Sequence, residues 1–185
     1  MGRIRNTQKL KRLLGQEKRV FRTSDLSVLW GIENKNTLYN TLSRYVKRGL
    51  LYRIYKGVYS TVPIKKLHDY ELGCALCGPL SYISGETILS KEGLIFQEIK
   101  KITLFGRKER SFEVSGRKYY CRYLNPKYLM NRIGISDGER YSNAGVERAL
   151  ADLLYIDPEY YIDNQIALNK LDISSIKEKL DYAHT

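Results

Sequence analysis

The stretch KNTLYNTLSRYVKRGLLYRIYKGVYS, Lys35 to Ser60, contains six Lys and Arg residues and no Asp or Glu. It lies inside a longer window, Asn34 to His68, that also lacks any carboxylate. A solvated helix usually mixes Glu with Lys, because opposite charges three or four residues apart stabilise it. The absence of acid therefore indicates a surface that meets negative charge.

The first half of this stretch predicts a helix from about Asn36 to Gly49, whose buried stripe is Leu38, Leu42, Tyr45 and Val46. At 100° per residue, the opposite face carries Asn36, Asn40, Ser43, Arg44 and Lys47, with Thr37 on its flank and Lys35 at its start. Asn pairs bidentately with adenine and Arg with guanine, whereas Lys and Thr bind phosphate. We therefore expect these seven residues to bind DNA in the major groove.

After Gly49 the apolar period changes from helix to strand. Leu50, Tyr52 and Ile54 alternate with Leu51, Arg53 and Tyr55, Lys56-Gly57 makes a turn, and Val58 to Ser60 return. This pattern predicts a β-hairpin. Arg53, Tyr55 and Lys56 at its tip are further candidate DNA contacts, on the backbone or in the minor groove. For Tyr52 and Tyr59 we favour cross-strand packing.

Two shorter helices and a strand are predicted before this stretch. Asn6 or Thr7 can cap a helix with Leu10, Leu13 and Leu14, and Thr23, Ser24 or Asp25 can cap one with Leu26, Leu29 and Trp30 that ends at Gly31. Arg19 to Arg22 is a candidate strand between them. Three helices followed by a hairpin are the order of a winged helix-turn-helix.

The net charge of +12 is confined to one part of the chain. Residues 1–66 carry 16 basic and 3 acidic residues, or +13, whereas residues 67–185 carry 16 and 17, or −1. We therefore predict two domains, a winged helix-turn-helix DNA-binding domain at 1–63 and a C-terminal domain at 64–185. The alternative is that the excess charge only makes the surface soluble.

The C-terminal domain is predicted to be mixed α+β. Helices are expected at Ile64 to Cys77, Tyr82 to Lys91, Asn143 to Tyr155 and Ser174 to Tyr182, and strands at Ile99 to Phe105, Ser111 to Val114 and Lys118 to Tyr123. Two GRK tripeptides, at Gly106 and Gly116, lie at the two ends of the central strand. They are either a second phosphate contact or ordinary charged turns.

Three cysteines are too few for a disulfide scaffold and are expected to be small apolar residues in a reducing compartment. The N-terminus lacks the apolar run of a secretory signal, so we expect a soluble, cytoplasmic protein. Cys74 and Cys77 with His68 and Cys121 suggest zinc only weakly, because no second CxxC is present. No metal and no cofactor are predicted.

Enzymatic readings find little support in the sequence. Glu98-Ile99-Lys100 matches half of a metal-dependent nuclease motif, but the nearest upstream Asp, Asp69, lies in a predicted helix. With only His68 and His184, there is no nucleophile–base arrangement. For Glu147 and Asp152 we expect helix capping and surface ion pairs. We therefore predict that the protein is not an enzyme.

Three segments together resemble one known family. The run TSDLSVLWGIENKNTLYNTLSRYVKRGLLYRIYKGVYSTVP resembles the winged helix of AbiEi antitoxins, and YISGETILSKEGL resembles the helix that follows it. YSNAGVERALADLLY is similar to that family's S-x-x-x-E-[KR]-A-L-x-D helix, carried here by Ser142 or Asn143, Glu147, Arg148, Ala149, Leu150 and Asp152.

The resemblance implies a DNA-binding autorepressor that acts as the antitoxin of a type IV, abortive-infection operon. Its partners would be double-stranded operator DNA and a nucleotidyltransferase-type toxin that it counters without a stable complex. The alternative is a DNA-targeted effector or metal-dependent nuclease that uses the winged helix only for targeting.

Overall fold

A computed structural model describes residues 6–182. The N-terminal part contains three helices and a three-stranded antiparallel sheet in the order β1-β3-β2. Its elements are α1 (Asn6–Leu14), β1 (Val20–Arg22), α2 (Thr23–Trp30), α3 (Lys35–Lys47), β2 (Tyr52–Tyr55) and β3 (Val58–Ser60). The predicted helix, strand, helix, helix and hairpin are therefore all present, and the winged helix-turn-helix is confirmed.

Local signals in the sequence explain the two short connections around α3. Gly31 adopts φ of +60°, which lets the chain reverse after α2. Asn34 then caps α3 by accepting a 3.0 Å hydrogen bond from the backbone N–H of Thr37. The caps expected for the earlier helices differ. Asp25 accepts from the N–H of Arg22 within the first turn of α2, Thr7 lies inside α1, and the side chain of Asn6 is outside the described residues.

The N-terminal core packs these three helices on the small sheet. Trp30 is 1% exposed, its ring centroid lies 5.0 Å from that of Tyr45, and its Nε1 donates to the carbonyl of Lys9. The other buried residues of this cluster are Leu13, Phe21, Leu26, Ile32, Leu38, Leu42, Leu51 and Tyr59. The predicted apolar stripe of α3 is thus the face that the helix buries.

The C-terminal part is mixed α+β, as predicted. Its six-stranded sheet has the order β6-β7-β5-β4-β9-β8, with parallel pairs at β5/β7 and β4/β9. After a 3₁₀ turn at Ile64–Lys66, the elements are α4 (Asp69–Cys77), β4 (Tyr82–Ile83), α5 (Glu86–Lys91), β5 (Ile102–Gly106), β6 (Arg110–Val114), β7 (Arg117–Tyr123), α6 (Pro126–Met130), β8 (Ile135–Asp137), β9 (Ser142–Ala144), α7 (Val146–Ile156), α8 (Gln165–Leu168) and α9 (Ile173–Leu180).

Three predicted helices of this part begin later than expected. Tyr82 and Ile83 pair with Phe105 and Leu104 as a strand, and Ser142–Ala144 pairs with β8. Leu67 and His68 separate the 3₁₀ turn from α4. Short apolar runs fit a buried strand and a buried helix equally well, so only pairing with distant strands decides between them.

The cysteine prediction was wrong for two of the three residues. Cys77 on α4 and Cys121 on β7 form a disulfide. Gly106 lies against both sulfur atoms, and a side chain at this position would place its Cβ 2.8 Å from the sulfur of Cys121. Cys74 is free, and burial raises the pKa of its thiol to about 11.

Among the described residues, no helix is long and apolar enough to cross a bilayer.

The two parts of the chain are joined by charged and apolar contacts to α4. The guanidinium of Arg19 binds both oxygens of Glu71, which is 2% exposed, with a distance of 3.1 Å from Nε to Oε1. Arg22 donates to the carbonyls of Ala75 and Leu76, at 3.0 and 2.7 Å. Val20 belongs to the hydrophobic cluster of the C-terminal part, so the core continues across this contact.

The C-terminal core also contains a buried ion pair, which corrects the prediction for Asp152. Arg148 and Asp152 on α7 are both fully buried, and Arg148 Nε lies 2.8 Å from Asp152 Oδ1. The carboxylate also accepts hydrogen bonds from the hydroxyls of Tyr82, Ser84 and Tyr182. Asp152 therefore joins β4, α7 and the segment after α9, and it makes no surface ion pair.

The remaining donors of Arg148 are also satisfied. They reach the carbonyls of Tyr128, Asn131 and Ile133 at 2.9 to 3.1 Å. A buried ion pair is tolerated only when such additional hydrogen bonds replace the lost solvent. The pair therefore fixes how α7 lies against the loop before β8.

We expect Asp152→Asn to lower the free energy of unfolding by about 3–5 kcal/mol, because it leaves the Arg148 charge buried without a counter-charge. The half-buried Glu147, on the same helix but outside this network, provides the matched control, and Glu147→Gln should cost less than about 1 kcal/mol. Urea unfolding followed by circular dichroism measures both. Equal losses in the two variants would contradict the assignment of the ion pair to the buried core.

Candidate nucleic-acid interface

The face of α3 that the sequence singled out points away from the core. Leu38, Leu42 and Tyr45 are at most 4% exposed and fix the rotation of the helix about its axis. As a result, the opposite face is open to solvent, and its exposed members are Lys35, Asn36, Asn40, Ser43, Arg44 and Lys47. Thr37 is half-buried on the flank. The structure thus brings the predicted residues together on one helical surface.

Two of the predicted residues are also involved in contacts within the helix. Arg44 Nη2 donates to the Thr41 hydroxyl at 3.3 Å, and that hydroxyl donates to the carbonyl of Thr37 at 2.8 Å. Thr41 is fully buried, so it supports Arg44 from beneath. The guanidinium keeps further donors for a base or a phosphate.

Sequence reasoning missed Tyr39 on this face. Its side chain is 53% exposed and lies three residues after Asn36 and four before Ser43, which is the spacing of neighbours on a helix. An exposed aromatic ring between Asn and Ser can pack against a thymine methyl group or a sugar. The helical spacing was the available signal, but only the Asn, Ser, Thr, Lys and Arg side chains of this face were considered as DNA contacts.

The hairpin tip is short and anchored. Gly57 adopts φ of +73°, and its carbonyl accepts from both the N–H and the hydroxyl of Thr23, at 2.9 and 3.1 Å. Arg53, Tyr55 and Lys56 are exposed there. Tyr59 is 6% exposed and packs in the core as predicted, whereas Tyr52 remains 40% exposed. The predicted wing contacts therefore lie on strand β2 and on the turn after it, which Thr23 holds close to the start of α2.

The cations of α3 and of the hairpin lack acidic partners within the described chain. The seven ion pairs found among residues 6–182 involve none of Lys35, Arg44, Lys47, Arg53 or Lys56. In contrast, Asp25 at the start of α2 is bound by Lys18 at 2.7 Å. The helix and the hairpin together therefore present positive charge that only an outside anion can neutralise.

The two GRK turns have different environments. Arg107, Lys108 and Lys118 are exposed, whereas Arg117 forms a 2.9 Å ion pair with Asp69 and donates to the carbonyl of Leu67. Arg117 thus fastens the β6–β7 hairpin to α4. Of the two interpretations, the structural one fits Arg117.

The segment Glu98-Ile99-Lys100, which matches half of a nuclease motif, does not lie on a strand. Glu98 and Lys100 are exposed residues of the loop that precedes β5, which begins at Ile102. Within residues 6–182, no three His, Cys, Asp or Glu side chains come close enough together to hold a metal ion.

Comparison with known families decides the class of the N-terminal part. Residues 8–62 match a family described as "Transcriptional regulator, AbiEi antitoxin". The winged helix is of the AbiEi type. The match runs through α1 to β3 and contains the whole candidate interface, so it confirms the resemblance of the winged helix and supports DNA binding by a transcriptional regulator. No curated protein matches the chain.

Single substitutions on this AbiEi-type winged helix should separate base reading from phosphate binding. We expect Asn40→Ala and Arg44→Ala each to cost about 1–3 kcal/mol on specific DNA and to relax base preference at one position. Lys56→Ala should weaken binding to all sequences alike and reduce the slope of log K against log salt by about one. Fluorescence anisotropy at several salt concentrations, with specific and scrambled duplexes, measures both effects.

The control for these variants is Lys91→Ala, which removes an exposed charge from α5 in the C-terminal part and should change neither DNA affinity nor slope. If Arg44→Ala weakened the specific and the scrambled duplex equally, Arg44 would be a phosphate contact and its assignment to base reading would be wrong.

Proposed function

We propose that the protein is the autorepressor of its own operon and the antitoxin of a type IV system, countering a nucleotidyltransferase-type toxin without forming a stable complex with it. The observation that carries the repressor part is the acid-free, exposed face of α3 within a segment that matches AbiEi regulators. The antitoxin part rests on the family match and on the resemblance of the two C-terminal segments.

In this proposal, α3 lies in the major groove. Asn36, Asn40 and Arg44 would read base edges, and Lys35, Ser43 and Lys47 would bind the phosphates that flank the groove. Thr37 on the flank would bind a phosphate next to the helix N-terminus. Because α3 is rotationally fixed by its buried stripe, these side chains would meet the DNA in one register.

The hairpin would bind the neighbouring stretch of DNA. Arg53, Tyr55 and Lys56 lie on a tip that Thr23 holds in place, so little conformational entropy would be lost on binding. Their contribution would be to affinity for any sequence, because Lys and Arg at a backbone contact neutralise phosphate without reading bases.

The motif shared with the family in α7 would act through the fold and not through direct contact with a toxin. Arg148 and Asp152 are fully buried, and Ala149 and Leu150 belong to the core. A surface that counters the toxin would therefore consist of other, exposed residues of the C-terminal part.

The repressor proposal is tested by gel-shift titration against the DNA immediately upstream of the gene. We expect tight binding that depends on a palindromic sequence, since paired half-sites bind paired copies of a helix-turn-helix protein. Scrambling one half-site should weaken it, and Arg44→Ala should relieve repression of a reporter driven by the same upstream DNA. Absence of binding at moderate salt would reject the repressor role.

The antitoxin proposal is tested separately by co-expression with a nucleotidyltransferase encoded beside the gene. Arg44→Ala should still rescue growth, because its defect is confined to DNA reading, whereas the destabilised Asp152→Asn should rescue poorly. Co-purification of the two proteins, or rescue that disappears with Arg44→Ala, would contradict the proposed mode of action.

A further inference from the structure

A cleft of about 500 Å³ lies where the hairpin tip meets strand β6 of the C-terminal sheet. One wall comes from the hairpin and the start of α2, with Lys56, Thr23 and Ser24. The other comes from β6, with Arg110 and Ser111, and Arg22 lines the cleft together with them. The candidate surface described above does not account for this cleft, because Leu76 and Arg110 to Phe112 of the C-terminal part form one side of it.

The charges around this cleft are of one sign. Three cations line it, and none of the lining residues is Asp or Glu. Of the acids adjacent in sequence, Glu109 accepts a hydrogen bond from the Tyr120 hydroxyl at 2.9 Å, and Glu113 is an exposed residue of β6 outside the lining. Asp25 binds Lys18 at 2.7 Å, and its charge also raises the pKa of Arg22, against the larger lowering by burial and by Arg110. A concave site with several cations and no counter-charge concentrates anions.

Two of the cations are held next to each other by the fold. Arg22 and Arg110 both donate through Nη2 to the carbonyl oxygen of Leu76 at the end of α4. Burial lowers the pKa of Arg22, and the charge of Arg110 lowers it further, which is the expected effect of two guanidinium groups in proximity. Each guanidinium has five N–H donors, and the shared carbonyl together with that of Ala75 uses only some of them.

Hydroxyl groups complete the lining. Thr23, Ser24 and Ser111 reach the cleft beside the cations. Planar guanidinium groups with neighbouring hydroxyls suit the tetrahedral oxygens of phosphate, which accept several charge-assisted hydrogen bonds at once. A carboxylate ligand would use fewer of the donors.

We propose that this cleft binds a phosphate group between the winged helix and the C-terminal sheet, with Arg22, Arg110 and Lys56 as its cationic ligands. The phosphate can come from the DNA backbone beside the hairpin or from a free phosphorylated molecule. The site is independent of operator reading by α3, because none of the α3 residues lines it.

The first experiment uses inorganic phosphate and pyrophosphate with the full chain. Isothermal titration calorimetry at low ionic strength should show that each anion binds saturably to the wild-type chain. Arg110→Gln should weaken the affinity for phosphate by about tenfold, as expected for loss of one charge-assisted contact. Lys91→Gln is the control. It removes an exposed cation from α5, outside the cleft and outside every candidate phosphate contact, and should leave phosphate affinity unchanged.

The second experiment identifies the source of the phosphate. If DNA supplies it, Arg110→Gln should weaken duplex binding relative to Lys91→Gln and lower the slope of log K against log salt by about one. If a free molecule supplies it, the two variants should bind duplex alike and differ only toward inorganic phosphate or pyrophosphate. Either pattern supports the site. Equal behaviour of the two variants in both measurements would overturn it, even if operator binding by α3 were intact.

Loss of the Arg110 contact to Leu76 can also affect folding, so thermal unfolding of Arg110→Gln accompanies both experiments. Lys56→Gln provides a second variant, because it changes an exposed side chain at the hairpin tip and leaves the contacts to Leu76 in place. It should likewise weaken phosphate binding. Unchanged phosphate affinity in a folded Lys56→Gln chain would remove the hairpin from the site and contradict the proposal.

Discussion

The position of the winged helix depends on Glu71, a carboxylate buried in α4 whose one ion-pair partner among residues 6–182 is Arg19, which binds both of its oxygens. An uncompensated charge at that depth would be costly, so the arrangement holds only while β1 lies against α4. Arg22 strengthens it through two carbonyls at the end of the same helix. The winged helix and the C-terminal part are therefore fixed to each other, and a ligand at their junction would contact both.

The chain uses its arginines in two opposite ways. Arg19 and Arg148 are buried or half-buried, paired with one carboxylate each, and hold separate elements together. Arg44 and Arg53 are exposed and unpaired among residues 6–182, which suits contact with an external polyanion. The formal net charge alone does not distinguish these roles. It is the partner of each arginine that decides whether it stabilises the fold or remains free for DNA.

Sequence reasoning predicted the winged helix because its signals are local. Gly31 marks the end of α2, the stripe from Leu38 to Tyr45 has a helical period, and Lys56-Gly57 forms the turn of a hairpin. It failed where long-range pairing decides. Tyr82 becomes a strand only because Phe105 lies opposite, and Asp152 is buried because hydroxyls from residues 70, 68 and 30 positions away reach it. The i,i+4 spacing of Arg148 and Asp152 was a usable signal, but periodicity does not reveal burial.

The proposed DNA-binding surface lacks acid, and this has a physical consequence for specificity. Each added Lys or Arg contact to phosphate raises affinity for every sequence equally, so positive charge alone increases competition from non-specific sites. In the proposed complex, discrimination would then come from the few side chains that can pair with base edges, Asn36, Asn40 and Arg44. Their value depends on a fixed rotation of α3, which the fully buried Thr41 and the neighbouring apolar stripe provide. Loosening that stripe would thus reduce specificity before it reduced overall DNA affinity, since the phosphate contacts tolerate small rotations better than bidentate base contacts do.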